Sequence, residues 1–178
     1  MGSLHGALAV AGALLISLMS LGGAAMAFEL KSSAFDPDGR IPKPYTCDGT
    51  DQSPPLSWSG VAQRTVSFAL ICEDPDAPVG NWVHWVLWNL PASSRELRAA
   101  IPPGLQGPDG SSQGTNDFRR PGYGGPCPPP GPAHRYLFNL YALDRLLDLK
   151  QGATKADLEH ALKGHVLARA QLIGRYGR

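Results

Sequence analysis

Proline and glycine interrupt this chain too often for a long helix to run through it. Among 178 residues there are 17 prolines and 21 glycines. Proline fixes φ and removes a backbone donor, and both residues punctuate turns. Short elements joined by fixed corners are therefore expected. Two stretches concentrate the punctuation. In Glu73–Trp85, "EDPDAPVGNWVHW", Asp74-Pro75 and Asp76-Ala77-Pro78 cannot continue a helix. They form a rigid corner with two carboxylates, and His84 follows in strongly apolar company. In Gly122–Tyr136, "GYGGPCPPPGPAHRY", Pro128 to Pro130 form a stiff wall that costs little entropy to order. The wall ends in His134 and Tyr136.

Hydrophobic alternation supplies the elements between the corners. Phe28–Ser33 reads as an opening strand, and Thr65–Cys72 and Trp82–Asn89 as strands bounded by turn residues. Trp82–Asn89 is apolar on both pleat faces, which predicts a central strand covered on both sides. His134–Leu143, "HRYLFNLYAL", is a further strand with His134, Tyr136 and Phe138 on one face. Thr154 followed by Asp157 is a capping-box pattern; it opens a short amphipathic helix that presents Leu158, Ala161 and Leu162 and stops at Gly164. The tail "LARAQLIGRY" alternates Ala168, Ala170, Leu172, Gly174 and Tyr176 against Arg169, Gln171, Ile173 and Arg175, a strand. Asp36–Ser57 and Pro102–Pro132 are long and irregular, as functional or surface-wrapping loops are. The pattern is mainly β, with no internal repeat.

Residues 1–27 contain no Lys, Arg, Asp or Glu, and an apolar run from Ala7 to Leu21 leads to Ala25-Met26-Ala27. This is the layout of a signal peptide with its cleavage site. The run is shorter than the ~20 residues that a retained span needs. A signal peptide over 1–27 and a single domain over 28–178 are expected, with the mature protein exported to a periplasm or secreted and without a transmembrane span. Sixteen basic and fifteen acidic residues give a net charge of +1, so no broad field attracts nucleic acid or an anionic membrane. Cys72 lies in the apolar run "SFALICEDP" and reads as an inert core thiol. Cys47 and Cys127 lie in turn-rich loops and are the natural disulfide pair of an exported chain. None of the three shows zinc spacing.

The two punctuated stretches also carry a resemblance. "DPDAP…WVHW…NLP" and "YGGPCPPPG…HRYLFNLYALD" resemble the two signature regions of the phosphatidylethanolamine-binding protein family, and most closely its bacterial and archaeal Raf-kinase-inhibitor-like branch. "YTCDGTDQSPPLSW" (Tyr45–Trp58), "NDF" (Asn116–Phe118), "PGYGG" and "GHVLARAQLIGRY" extend it over essentially all of 28–178. The resemblance implies a large antiparallel sheet packed on a smaller one, with short peripheral helices and a small surface pocket for phosphate-like anions. The pocket falls on Asp74, His84, His134 and Tyr136, with the Pro128-Pro129 wall, Trp82 at the rim and Asp76 as the second acid. It implies a small anionic ligand, phosphate or a phosphoethanolamine-like headgroup, and no cofactor. Family members that inhibit kinases or proteases make a protein partner the alternative. Arg175 stands where the branch has a small or hydroxyl residue, and the C-terminal helix of animal members has no counterpart in this tail.

The chemistry of these residue types agrees. An anion needs donors and prolines offer none, so donors are expected from His84, His134, the Tyr136 hydroxyl and the N–H groups of Gly124 and Gly125. A carboxylate facing the anion would repel it. Asp74 is accordingly expected behind His84, accepting from one ring nitrogen and orienting the other. Binding would tighten as the imidazoles charge, and an aspartate at the rim could meet an ammonium group. A metal hydrolase built from Asp74, His84 and His134 would lack any tight ligand pair, and a serine hydrolase would lack G-x-S-x-G. Trp58 and Trp88 are expected in the core, His160 and His165 at the surface, and Asp48 and Asp117 as loop caps.

Overall fold

The computed structural model describes residues 1–2 and 26–178, so the expected signal segment lies almost wholly outside the described residues. Among the described residues eight strands and one α-helix follow in chain order: β1 Glu29–Lys31, β2 Leu56–Ser59, β3 Ser67–Asp74, β4 Trp82–Pro91, β5 Glu96–Leu97, β6 Ser112–Gln113, β7 His134–Leu143, α1 Lys155–Leu162 and β8 Val166–Tyr176. They make two antiparallel sheets, β1-β2-β5 and β6-β4-β3-β7-β8. The fold is mainly β, as the alternation predicts. β3 is the middle strand of the larger sheet; β4, expected there, lies one place off centre beside the two-residue β6.

Strand alternation splits the larger sheet's side chains between two cores. Phe68, Leu70 and Cys72 of β3, Trp85 and Leu87 of β4 and Tyr136, Phe138 and Leu140 of β7 pack toward Leu30, Leu56 and Trp58 of the smaller sheet. Ala69, Ile71, Val83, Val86 and Trp88 face the other way, onto Leu158 and Leu162 of α1. The helix starts on the expected box: Asp157 N–H donates to the Thr154 hydroxyl, and the Asp157 carboxylate accepts from Thr154 N–H. Lys155 and Glu73 pair across the helix–sheet contact. Cys72 is buried and free, its thiol pushed up by burial and then by Glu73 and Asp74.

Antiparallel pairing decides where the functional residues meet. β3 ends where β4 and β7 begin, so Asp74 closes the ladder opposite Trp82, one residue beyond the Glu73–Leu137 pair. On β4, Cys72 pairs with Trp85 but Glu73 with Val83, so His84 is the extra residue of a β-bulge. Bulges re-aim side chains beside sites; this one turns Val83 to the helix side while Trp85 keeps to the inter-sheet core.

Candidate functional site

At that end of the larger sheet lies a cavity of about 190 Å³, room for about six waters. Asp74, His84 and His134 line it from three adjacent strands, and Pro128 and Pro129 stand along it as a wall. Trp82 and Phe118 meet edge to face at 5.5 Å and line it together with Ala77, Pro78 and Val79. Cys127 lines it too, bonded to Cys47 with their Cα atoms 5.4 Å apart.

The Asp-Pro corner serves a different ring from the one expected. Asp74 is 3 % exposed, and its Oδ2 accepts from Nδ1 of His134 at 2.8 Å; its Oδ1 accepts from the Asp76 backbone N–H at 2.9 Å. The acid stands behind His134, not behind His84. The pairing is set by the sheet: Asp74 and His134 end neighbouring antiparallel strands on the same face, whereas the bulge carries the His84 ring toward the loop above β4. Both carboxylate oxygens are engaged by protein donors.

His84 is 2 % exposed, and its Nδ1 lies 2.6 Å from the Gly124 carbonyl oxygen. The same two residues are joined by backbone, Gly124 N–H donating to the His84 carbonyl at 2.9 Å. A Cβ at Gly124 would come within 2.6 Å of the Phe118 ring, which requires glycine there. The ring sits edge to face between Phe118 and Tyr136 at 5.4 and 5.2 Å. Burial pushes its pKa below the ordinary imidazole value, against the opposing pull of the Gly124 carbonyl and of Asp74, Asp51 and Asp117.

Neither glycine donor expected from the sequence is available. Gly124 N–H is taken by His84, and Gly125 N–H donates to Asp51 Oδ1 at 2.6 Å. Tyr136 is fully buried beneath the two imidazoles rather than lining the cavity, and its hydroxyl has no partner in good hydrogen-bond geometry, with Asp74 the carboxylate that acts on it. Burial, then the Asp74 charge, drives that phenol far above its usual range, so it stays protonated. Asp76 faces away from the cavity. It accepts from the Arg135 backbone N–H and from Nε and Nη2 of that guanidinium at 2.6–2.9 Å, which holds its pKa down at about 2. Trp82 does line the cavity, and its buried indole N–H has no partner. Phe118 was legible only as part of "NDF"; nothing in its own type pointed to the site. Asp117 caps as expected, accepting from Val83 N–H at 2.7 Å and so placing Phe118. Asp48 does not cap a loop but anchors the tail, accepting from the Tyr176 hydroxyl at 2.6 Å and pairing with Arg178. Among the described residues no group of three or more His, Cys, Asp or Glu is gathered as metal ligands would be.

Comparison with known proteins bears on the whole of this arrangement. A profile described as phosphatidylethanolamine-binding protein matches residues 31–177. The UPF0098 protein of Methanothermobacter thermautotrophicus is 56 % identical over 149 residues, covering 84 % of this chain and 98 % of its own. That of Aquifex aeolicus is 47 % identical over 163 residues, covering 90 % and 94 %. Among solved structures, a phosphatidylethanolamine-binding protein homologue from Chlamydia trachomatis superposes with a TM-score of 0.78 at 41 % identity, over 85 % of this chain and 98 % of its own. Escherichia coli YbcL, described as a member of the mammalian family, superposes with a TM-score of 0.79 at 32 % identity, over 86 % and 99 %. The chain belongs to the phosphatidylethanolamine-binding protein family.

Proposed function

We propose that this protein is a non-enzymatic binding protein whose pocket takes a small phosphate-like anion, either free or as part of a phosphoethanolamine-like headgroup. One observation carries the reading. Two imidazoles on the strands that flank β3 spend their Nδ1 atoms on protein oxygens and keep Nε2 without a protein partner, beside a cavity that both rings line. The same geometry argues against turnover, because the Asp74 oxygens are both engaged and Cys127 is in a disulfide. Titration calorimetry with phosphate tests the reading. Loss of one hydrogen bond to a charged ligand costs about 1.5–3 kcal/mol, so His134→Ala is expected to weaken binding about tenfold or more. Unchanged affinity would place the anion elsewhere, and steady release of phosphate from a phosphoester would make the protein an enzyme.

The same reading puts the protein outside the cytoplasm after removal of residues 1–27. The Cys47–Cys127 disulfide supports it, since such bonds persist in oxidising compartments. No helix among the described residues is long and apolar enough to cross a membrane. Mass spectrometry of protein from its native host is expected to find Phe28 at the N-terminus; an intact leader held in the membrane would overturn the assignment.

A further inference from the structure

The tautomer of His84 is fixed by geometry. A carbonyl oxygen can only accept, so the 2.6 Å contact with Gly124 puts a proton on Nδ1. A neutral ring in that state presents a lone pair, not an N–H, at Nε2. The ring is positioned to stay neutral. Asp74, which faces it from β3, is already paired with His134 and the Asp76 N–H. Asp117 is held by the Val83 N–H, and Asp51 by the Gly125 N–H and Arg120. Tyr136, packed on the ring from β7, keeps its proton, and Phe118 closes the other side. None of these carboxylates hydrogen-bonds the imidazole, and burial opposes its charging.

A lone pair set against an anionic oxygen leaves two acceptors facing each other, and a buried acceptor without a donor is costly. A ligand that brings its own O–H removes the conflict. The geometry points to a pocket that takes its anion in a proton-bearing form, a phosphomonoester or inorganic phosphate monoanion whose P–OH donates to His84 Nε2, and that discriminates against phosphodiesters such as intact phospholipid headgroups. The inference rests on the anion-binding reading above. A phosphomonoester loses its second proton near pH ~6, so its monoanion is present in mildly acidic and neutral solution. A phosphodiester has no P–OH at any of these pH values.

Wild-type protein is titrated calorimetrically with methyl phosphate, methylphosphonate, dimethyl phosphate and sulfate, from about pH 5.5 to about pH 8 around that ionisation. The readout is the ratio of affinities, in which any effect common to all four ligands cancels. Methyl phosphate is expected to bind about tenfold or more tightly than dimethyl phosphate or sulfate near pH ~6. That preference should fade as pH rises past the ligand's own ionisation. Its midpoint should lie higher for methylphosphonate, which holds its second proton more strongly. Nitrogen-15 spectra of the methyl phosphate complex should show His84 neutral and protonated at Nδ1. Equal binding of sulfate or dimethyl phosphate, a midpoint that ignores the ligand, or an imidazolium at His84 in the complex would overturn the inference and leave the anion pocket standing. Failure of all four ligands to bind would remove the pocket reading as well.

Discussion

His84 shows how one contact ties a binding property to stability. Its ring is buried, bonded to Gly124 and pushed toward the neutral state, while in the unfolded chain it titrates near its ordinary value of about 6.5. The unfolded state therefore takes up the proton first as pH falls. The stabilising contribution of the neutral ring is fully present above about pH 6.5 and is lost as pH drops toward the folded pKa. The slope from one proton cannot exceed about 1.4 kcal/mol per pH unit. Urea unfolding of the wild type is expected to weaken between about pH 7 and about pH 5 by more than that of His84→Gln, which lacks the titrating group. Parallel curves for the two proteins would show that His84 is not buried neutral. His134 offers no such handle, because its ring is tied to a carboxylate whose loss of partner would dominate any substitution there.

Individual elements differ in how much of their form the sequence carries. β7 occupies the predicted His134–Leu143, β8 extends the predicted tail by one residue to Val166, and α1 begins at the predicted box. Each has a local cause: an unbroken period of two, or a cap whose partner lies three residues away. The corner at Asp74 and the proline wall were legible for the same reason. β5 and β6 were not, since two residues cannot display a period. The bulge at His84 is the more consequential gap. Unbroken alternation would put Val83, Trp85 and Leu87 on one face, yet Val83 packs toward α1 while the other two pack toward the smaller sheet. The extra residue answers to pairing with β3, which no local pattern in β4 reports. Assignment of Asp74 to the wrong imidazole follows from it. The sequence placed an acid and two rings at one end of the sheet, but hydrogen-bond choice among them depends on a shift of one residue in register.

For the molecule as a whole, the disulfide decides whether the site is a fixed cavity or two loose loops. Cys47 lies just past the 3₁₀ turn Lys43–Tyr45, and Cys127 sits in the irregular segment that continues into Pro128-Pro129. The bond thus joins the two longest irregular regions among the described residues, beside the pocket. Four further contacts join them: Cys47 N–H donates to the Pro126 carbonyl at 3.1 Å, Tyr123 OH to the Tyr45 carbonyl at 2.8 Å, and Gly125 N–H and the Arg120 guanidinium to Asp51, each at 2.6 Å. The tail adds a brace through Tyr176 and Arg178 on Asp48. Closing a separation of 80 residues restricts the unfolded chain and is worth about 4 kcal/mol in the chain-entropy account. A Cys47→Ser/Cys127→Ser variant is therefore expected to unfold at lower urea with a steeper slope, because its unfolded chain is less compact, and with a stability loss of about 4 kcal/mol. It should also bind phosphate more weakly, because the proline wall no longer has its anchor. Wild-type protein treated with reductant should behave the same way once thiol titration shows three free cysteines. If the reduced protein kept both its unfolding midpoint and its phosphate affinity, the wall would be held by the hydrogen bonds between the two regions and by the tail, and the disulfide would be incidental to the site.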